Sequence, residues 1–288
     1  MRTAVFSLLA LIGFAANSVI CRLALGRQLI DAALFTSVRL LSGALALVLL
    51  HRLLAPNETR RPAGSWRAAL MLFAYAASFS FAYVTLAAGT GALILFTAVQ
   101  ATMILAVLFR RHRLQSLEWT GLAVAFAGFL YLVLPGVSAP TYSGSILMTV
   151  AGVAWGFYTL LGQQTKNPVA DTAGNFIRTV PMLVVLLPFM FVAGHCSTPG
   201  FMLAVLSGAV TSGVGYTIWY IALRGLTALQ AATIQLFAPV LAAFGGILLL
   251  GESLPLRLAI AGTLVLGGIA IVVRGRKTLV PSPTDAAP

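Results

Sequence analysis

Apolar residues run through this chain in long blocks, each close to the ~20 residues that a helix needs to cross a bilayer. The blocks fall at 4–25, 32–54, 67–88, 91–110, 117–135, 143–163, 172–194, 200–223, 228–250 and 255–273. Turn-forming breaks separate them: Gly26-Arg27-Gln28, Pro56-Asn57, Pro62-Ala63-Gly64, Gly89-Thr90-Gly91, Pro135-Gly136, Asn167-Pro168, Pro199-Gly200 and Arg224-Gly225. Backbone groups in hydrocarbon have to be satisfied within their own segment, so the pattern predicts ten membrane-spanning helices. The loops between them are too short for a soluble domain. The first block follows a lone Arg2 and carries small residues at Ala15 and Ala16, as a signal peptide would. Its length, and a counterpart at 145–164, make it a span instead.

The blocks repeat. Tyr83 to Val133 and Tyr220 to Val273 each read as an apolar helix, a short polar break and a second apolar helix with glycines on one face. An offset of 140 residues sets Leu114 on Leu254, Gly128 on Gly268 and Asp31 on Asp171. A repeat of nearly half the chain means two copies of one unit: residues 1–138, residues 139–275, and a tail at 276–288 expected to be disordered and cytoplasmic. Five spans per copy is an odd number, so the second copy enters the membrane the opposite way up. The expected fold is an all-α integral membrane protein, ten transmembrane helices in two inverted five-helix repeats around a central cavity. Such symmetry supplies two similar arrangements open to opposite sides, the basis of alternating-access transport. A duplicated membrane scaffold or subunit with no transport role is the competing reading from another class.

Composition agrees: 60% of the 288 residues are hydrophobic and 8% charged, against roughly 25% charged in soluble domains. The net charge of +12 raises the question of nucleic acid, but the basic residues sit singly or in short clusters between apolar runs, so no nucleic-acid partner is expected. Their distribution sets topology instead. One alternate set of loops and ends holds Arg2, Arg52, Arg60, Arg61, Arg67, Arg110, Arg111, Arg113, Lys166, Arg224, Arg274, Arg276 and Lys277; the other holds Arg22, Arg27 and Arg257. Both termini are therefore placed in the cytoplasm and the chain in the inner membrane. Cys21 and Cys196 lie far apart and read as buried, inert thiols.

No Asp or Glu lies within a span. Asp31, Asp171, Glu118 and Glu252 each precede a helix, where a carboxylate caps free amides. The lack of a carboxylate at membrane depth counts against the alternative of a drug or quaternary ammonium efflux carrier. Arg39 and Arg178 are the charges well inside spans, roughly 10 to 12 Å from the helix start at 1.5 Å per residue. Each either bonds exposed carbonyls of a neighbouring helix or contacts an anionic group, one on each side of the cavity. Uncharged polar and aromatic residues gather in the first, third, fourth, sixth, eighth and ninth spans, while the fifth and tenth are almost purely aliphatic. From these come the cavity candidates Asn17, Ser78, Tyr83, Gln100, Trp155, Tyr158, Tyr216, Trp219 and Gln235. Hydrogen-bonding groups beside aromatic faces suit a small neutral or zwitterionic solute; the same residues also serve as interhelical bonds or interfacial anchors. Small residues (Gly152-x-x-x-Gly156, Gly208-x-x-x-Ser212, Gly245-Gly246) allow close helix approach, and Pro181, Pro188 and Pro239 permit bends. His51, His112 and His195 fall at span ends or in loops and no catalytic motif appears, so neither an enzyme nor a cofactor or metal site is expected.

Val153-Ala154-Trp155-Gly156, Phe237-Ala238-Pro239-Val240-Leu241-Ala242, Leu249-Leu250-Gly251-Glu252-Ser253-Leu254, and Ala261-Gly262 through Gly267-Gly268 resemble the ten-helix EamA-type branch of the drug/metabolite transporter (DMT) superfamily. The first copy departs from that pattern, with Ala16-Asn17 in place of Trp-Gly, Thr102 near an expected Pro and Arg111-His112 in place of Gly-Glu. The resemblance implies a basket of helices around a cavity lined by the first, third, fourth, sixth, eighth and ninth helices. It also implies export of amino acids or other small metabolites, as in YddG-like amino-acid exporters.

Overall fold

The computed structural model describes residues 2–54, 63–108, 116–134, 136, 139–163 and 165–277. Arg60, Arg61, Arg110, Arg111, His112, Arg113 and the tail from 278 onward lie outside the described residues. Among the described residues, ten helical segments follow the ten apolar blocks. They are α1 (Arg2–Gly26), α2 (Ala32–Leu54), α3 (Trp66–Tyr83), α4 (Ala88–Leu108), α5 (Ser116–Val133) and α6 (Tyr142–Gly162), then α7, α8, α9 and α10 (Leu256–Lys277). Helix α10 continues through Arg276 and Lys277, so the last helix extends past the boundary drawn for the tail.

Three of the later helices are interrupted. Helix α7 comprises Pro168–Thr179, a tighter 3₁₀ stretch Val180–Leu186 and Leu187–Ala193. Pro181 and Pro188 each remove a ladder donor there, and the chain tightens between them. Helix α9 comprises Ala228–Gln235 and Phe237–Leu250, parting where Pro239 cannot donate to the Gln235 carbonyl. Helix α8 comprises Thr198–Leu206, a widened π-helical segment Ser207–Val214 and Gly215–Leu223.

Eight of the segments are long and apolar enough to cross a membrane, with Leu256–Val272 of α10 a shorter apolar helix. Helix α3 has the length, but its arginine, tyrosines and serines dilute its hydropathy. Large apolar side chains such as Leu45, Leu49, Leu53, Phe126, Phe244 and Leu248 point outward, as a hydrocarbon surrounding requires. Trp66, Trp119 and Tyr142 lie exposed near helix ends, where aromatic rings meet headgroups.

The helices pack across the sequence repeat more than within it. Helix α6 lies on α3 and α4, and α1 lies on α8 and α9; α2 meets α8 while α7 meets α3. The pairs α2–α7, α4–α9 and α5–α10 complete the set. Exchanging each of α1–α5 with the helix five later turns this contact set into itself. Close approach is built on small residues: a Cβ on Gly208 would come within 2.1 Å of the Arg39 carbonyl oxygen, so α8 rests on the backbone of α2.

Loop-to-helix hydrogen bonds tie each end of the bundle. At the predicted outer end, Ile30 and Cys196 form an antiparallel bridge, with Asp31 N donating to His195 O at 2.9 Å and Ser197 N to Leu29 O at 2.8 Å. At the predicted inner end, Ala63 N donates to Ala170 O at 3.0 Å, Gly64 N to Asp171 Oδ1 at 3.0 Å and Ser65 N to Asn175 Oδ1 at 2.9 Å. The α7–α8 loop thus grips the start of α2 at one end, and the α2–α3 loop grips the start of α7 at the other. Cys196 is exposed, not buried, because it sits in this outer loop; Cys21 is buried in α1.

Candidate functional site

The middle of the bundle is filled by a polar and aromatic cluster contributed by α1, α2, α3, α6, α8 and α9. At its centre is Arg39, 1% exposed. Its Nε donates to Ser212 Oγ at 2.9 Å, and its Nη2 donates to Tyr216 Oη at 2.6 Å and to Tyr75 Oη at 3.3 Å. Tyr216 Oη in turn donates to Tyr75 Oη at 3.0 Å. The guanidinium lies over the rings of Tyr75 and Phe79, 5.3 and 5.1 Å from their centroids, a cation–π arrangement.

Asn17 carries the network to α1. Its Nδ2 donates to Tyr75 Oη at 3.4 Å, and its Oδ1 accepts from Ser207 Oγ at 2.7 Å and Thr211 Oγ1 at 3.0 Å. Ser207, Thr211 and Ser212 all belong to the π-helical segment of α8. Trp155 of α6 stacks against Tyr216 at 4.6 Å, Tyr75 at 4.9 Å and Phe14 at 5.3 Å. Its Nε1 donates to Gln235 Oε1 of α9 at 3.0 Å.

The sequence candidates divide on this geometry. Asn17, Trp155, Tyr216 and Gln235 meet in the cluster, and Trp219 packs edge-on against Phe14 at 5.5 Å. Gln100 bonds through Nε2 to the Ala232 carbonyl, joining α4 to α9. Tyr158 stacks on Tyr220 at 5.1 Å toward the predicted inner end. Tyr83 lies toward the outer end, donating to Ala88 O at 3.2 Å. Ser78 is half-buried on the flank of α3 and takes no part in the network. Arg178 stands apart from the cluster: its Nη1 donates to Gly174 O at 2.8 Å and to Ala63 O, holding the inner loop. Phe14, at the crossing of four aromatic contacts, carries no polar group to draw attention to it. Tyr75 is readable from a stripe at helical spacing, Tyr75–Phe79–Tyr83, whose rings meet in turn, tilted at 5.1 Å and edge-on at 4.7 Å.

A cavity lies beyond the cluster at each end. The one at the predicted inner end, about 270 Å³, is lined by Gly64, Ser65, Thr165, Asp171, Asn175 and Tyr220. The outer one, about 620 Å³, is lined by Gln28, Ile30, Asp31, Phe81, Val84 and His195 among others. Between them the centre is closed by side chains; Trp219 and Tyr158 are each 0% exposed.

The carboxylates act near the helix ends. Asp31 Oδ1 accepts from Leu34 N at 2.9 Å and caps α2. Glu118, expected ahead of its helix, lies inside it, buried in the first turn of α5, because the helix starts at Ser116. Asn167, not Asp171, is the cap of α7, leaving Asp171 to the inner loop. Glu252 serves a helix other than the following α10: Oε2 accepts from Ala88 N of α4 at 2.9 Å, and Oε1 pairs with Arg22 Nε at 3.0 Å. Among the described residues, no group of three or more His, Cys, Asp or Glu could hold a metal ion.

Comparison with known proteins follows this architecture. The EamA-like transporter family matches residues 142–274, from the start of α6 to the last turn of α10. The uncharacterized protein PA1977 of Pseudomonas aeruginosa is 50% identical over 276 residues, 96% of each chain. The threonine/homoserine exporter RhtA of Escherichia coli (strain K12) is 30% identical over 188 residues, 62% of each chain. A chain of known crystal structure matches with a TM-score of 0.62 over 95% of this chain and 99% of its own, at 17% identity, a likeness of fold alone. The chain belongs to the EamA-like transporter family within the drug/metabolite transporter superfamily, as a multi-span membrane transporter rather than an enzyme.

Proposed function

We propose that this protein exports amino acids or similar small neutral or zwitterionic metabolites across the inner membrane by alternating access. Both termini lie in the cytoplasm, and residues 1–138 and 139–275 form two inverted halves. The observation that carries this reading is the central cluster. It is assembled from helices of both halves, and none of the groups bonded to or stacked on Arg39 is charged. It also stands between a cavity at each end. Aromatic faces with neutral hydrogen-bonding groups suit a solute that is part apolar and carries no net charge. The self-exchanging helix contacts and the loop contacts at the two ends support a pair of alternative closures about one site. RhtA, the threonine/homoserine exporter, supports the amino-acid class.

In this reading the site is built from Asn17, Tyr75, Trp155, Tyr216, Trp219 and Gln235, with Arg39 at its core. Tyr158 and Gln100 stand on its inner and lateral sides. Purified protein in liposomes loaded with unlabelled amino acids tests the function. Accumulation of the matching labelled amino acid is expected, and its absence across the amino acids, with correctly folded protein, would refute the reading.

A further inference from the structure

One corner of the Arg39 guanidinium has no partner. Nε and Nη2 are bonded as above, whereas Nη1 is buried without a hydrogen bond. An unpaired, buried donor on a cation is costly, and the groups gathered around it are the hydroxyls of Ser212, Tyr75 and Tyr216 and the faces of Tyr75 and Phe79. Among the described residues no carboxylate reaches it. Burying a guanidinium this way, about 10 Å into α2, is poor structural economy, because neutral residues of similar volume commonly stabilise as well or better.

The surroundings are those of a binding position. The neighbouring wall is the π-helical segment Ser207–Val214, which presents Ser207, Thr211 and Ser212 to Asn17 and Arg39. Such widened turns are frequent at functional sites. A guanidinium N–H donates to a carboxylate oxygen in a charge-assisted hydrogen bond, stronger than one between neutral groups.

We infer that Arg39 receives the carboxylate of the transported solute, Nη1 supplying the donor that is unused in this closed state. This assignment rests on the transport reading above and narrows it. The solute body then lies on the faces of Trp155, Phe14 and Tyr75. Among the described residues no acidic side chain faces the same cluster to pair with an ammonium group, so the α-amino group of an amino acid is accommodated without being required. The substrate class is therefore small monocarboxylates, amino acids among them.

The test uses the wild-type protein in liposomes, with threonine, leucine and phenylalanine each compared with its primary amide and its 2-hydroxy acid as competitors in counterflow. The 2-hydroxy acids should compete within about tenfold of the amino acids, and the amides should be weaker by roughly 100-fold or more, the scale expected for an unpaired buried charge. Amides that compete as well as the acids would overturn the assignment while leaving transport intact. Absence of counterflow for every solute would overturn the transport reading and this inference with it. Two variants add a readout that a purely structural arginine would not move. Arg39→Lys should retain a preference for the acid over the amide, and Arg39→Gln should abolish it. A preference that survives in folded Arg39→Gln would contradict the assignment.

Discussion

Arg39 and Arg178 stand eight and seven residues after their matched aspartates, and that single residue decides their fates. Each step along an α-helix turns the side chain by about 100°, so the counterpart of Arg39 is the buried Thr179, and Arg178 faces the inner loop instead. The sequence offset showed the near-equivalence; the rotation that separates the two roles follows from the helical period alone. The same period explains Ser78, which lies one residue off the inward stripe of Tyr75, Phe79 and Tyr83. What the sequence could not reveal at this scale is partner choice, such as Asn17 bonding across to the π-turn of α8. Tyr216→Phe removes the oxygen that accepts from Arg39 and donates to Tyr75. We expect the half-saturating solute concentration in counterflow to rise about tenfold, the value of one charge-assisted hydrogen bond, with little loss of folded yield. An unchanged value would mean that Tyr216 lies outside the site.

Among the elements, the long aliphatic helices were the most legible, because their lipid-facing sides are uniformly apolar. Helix α3 was harder: its polar stripe serves the cluster, and its mean hydropathy falls accordingly. The proline-bearing breaks in α7 and α9 follow from missing donors at known positions. The π-segment of α8 carries no comparable signal, being set by how α8 lies against α1 and α2. Glu252 was read as a cap for the helix that follows it, but the left-handed turn at Gly251, with φ of +68°, is followed by a carboxylate that reaches α4 and Arg22. This ion pair joins α1, α4 and the α9–α10 loop at the predicted outer end. Gly162 stands at the position equivalent to Arg22 in the second copy, so the inner end has no matching arginine. Glu252→Ala should lower stability by on the order of 2 kcal/mol, since it strips an amide and a guanidinium of their acceptor. Glu252→Gln should lose less, because its carbonyl still accepts from Ala88. Thermal unfolding in detergent reads both; equal melting temperatures for the two variants would show that the Ala88 contact contributes nothing.

For the whole molecule, the run of apolar helices was readable because apolar length survives even where side chains diverge. The state of the centre was not, since closure depends on how the helices lean on one another. Both ends are tied by loop-to-helix contacts, and alternating access requires each tie to release in turn. Ile30 and Cys196 oppose each other between the flanking Asp31–His195 and Ser197–Leu29 bonds, the non-hydrogen-bonded register in which Cα atoms come within about 4.5 Å, a separation a disulfide can bridge. The most direct measurement is therefore amino-acid counterflow by Ile30→Cys, whose new thiol faces the native Cys196, under oxidising and then reducing conditions. Counterflow should be lost when the crosslink forms and should return when it is reduced. Full counterflow in protein shown to be crosslinked would contradict alternating closure of the two ends around the Arg39 cluster.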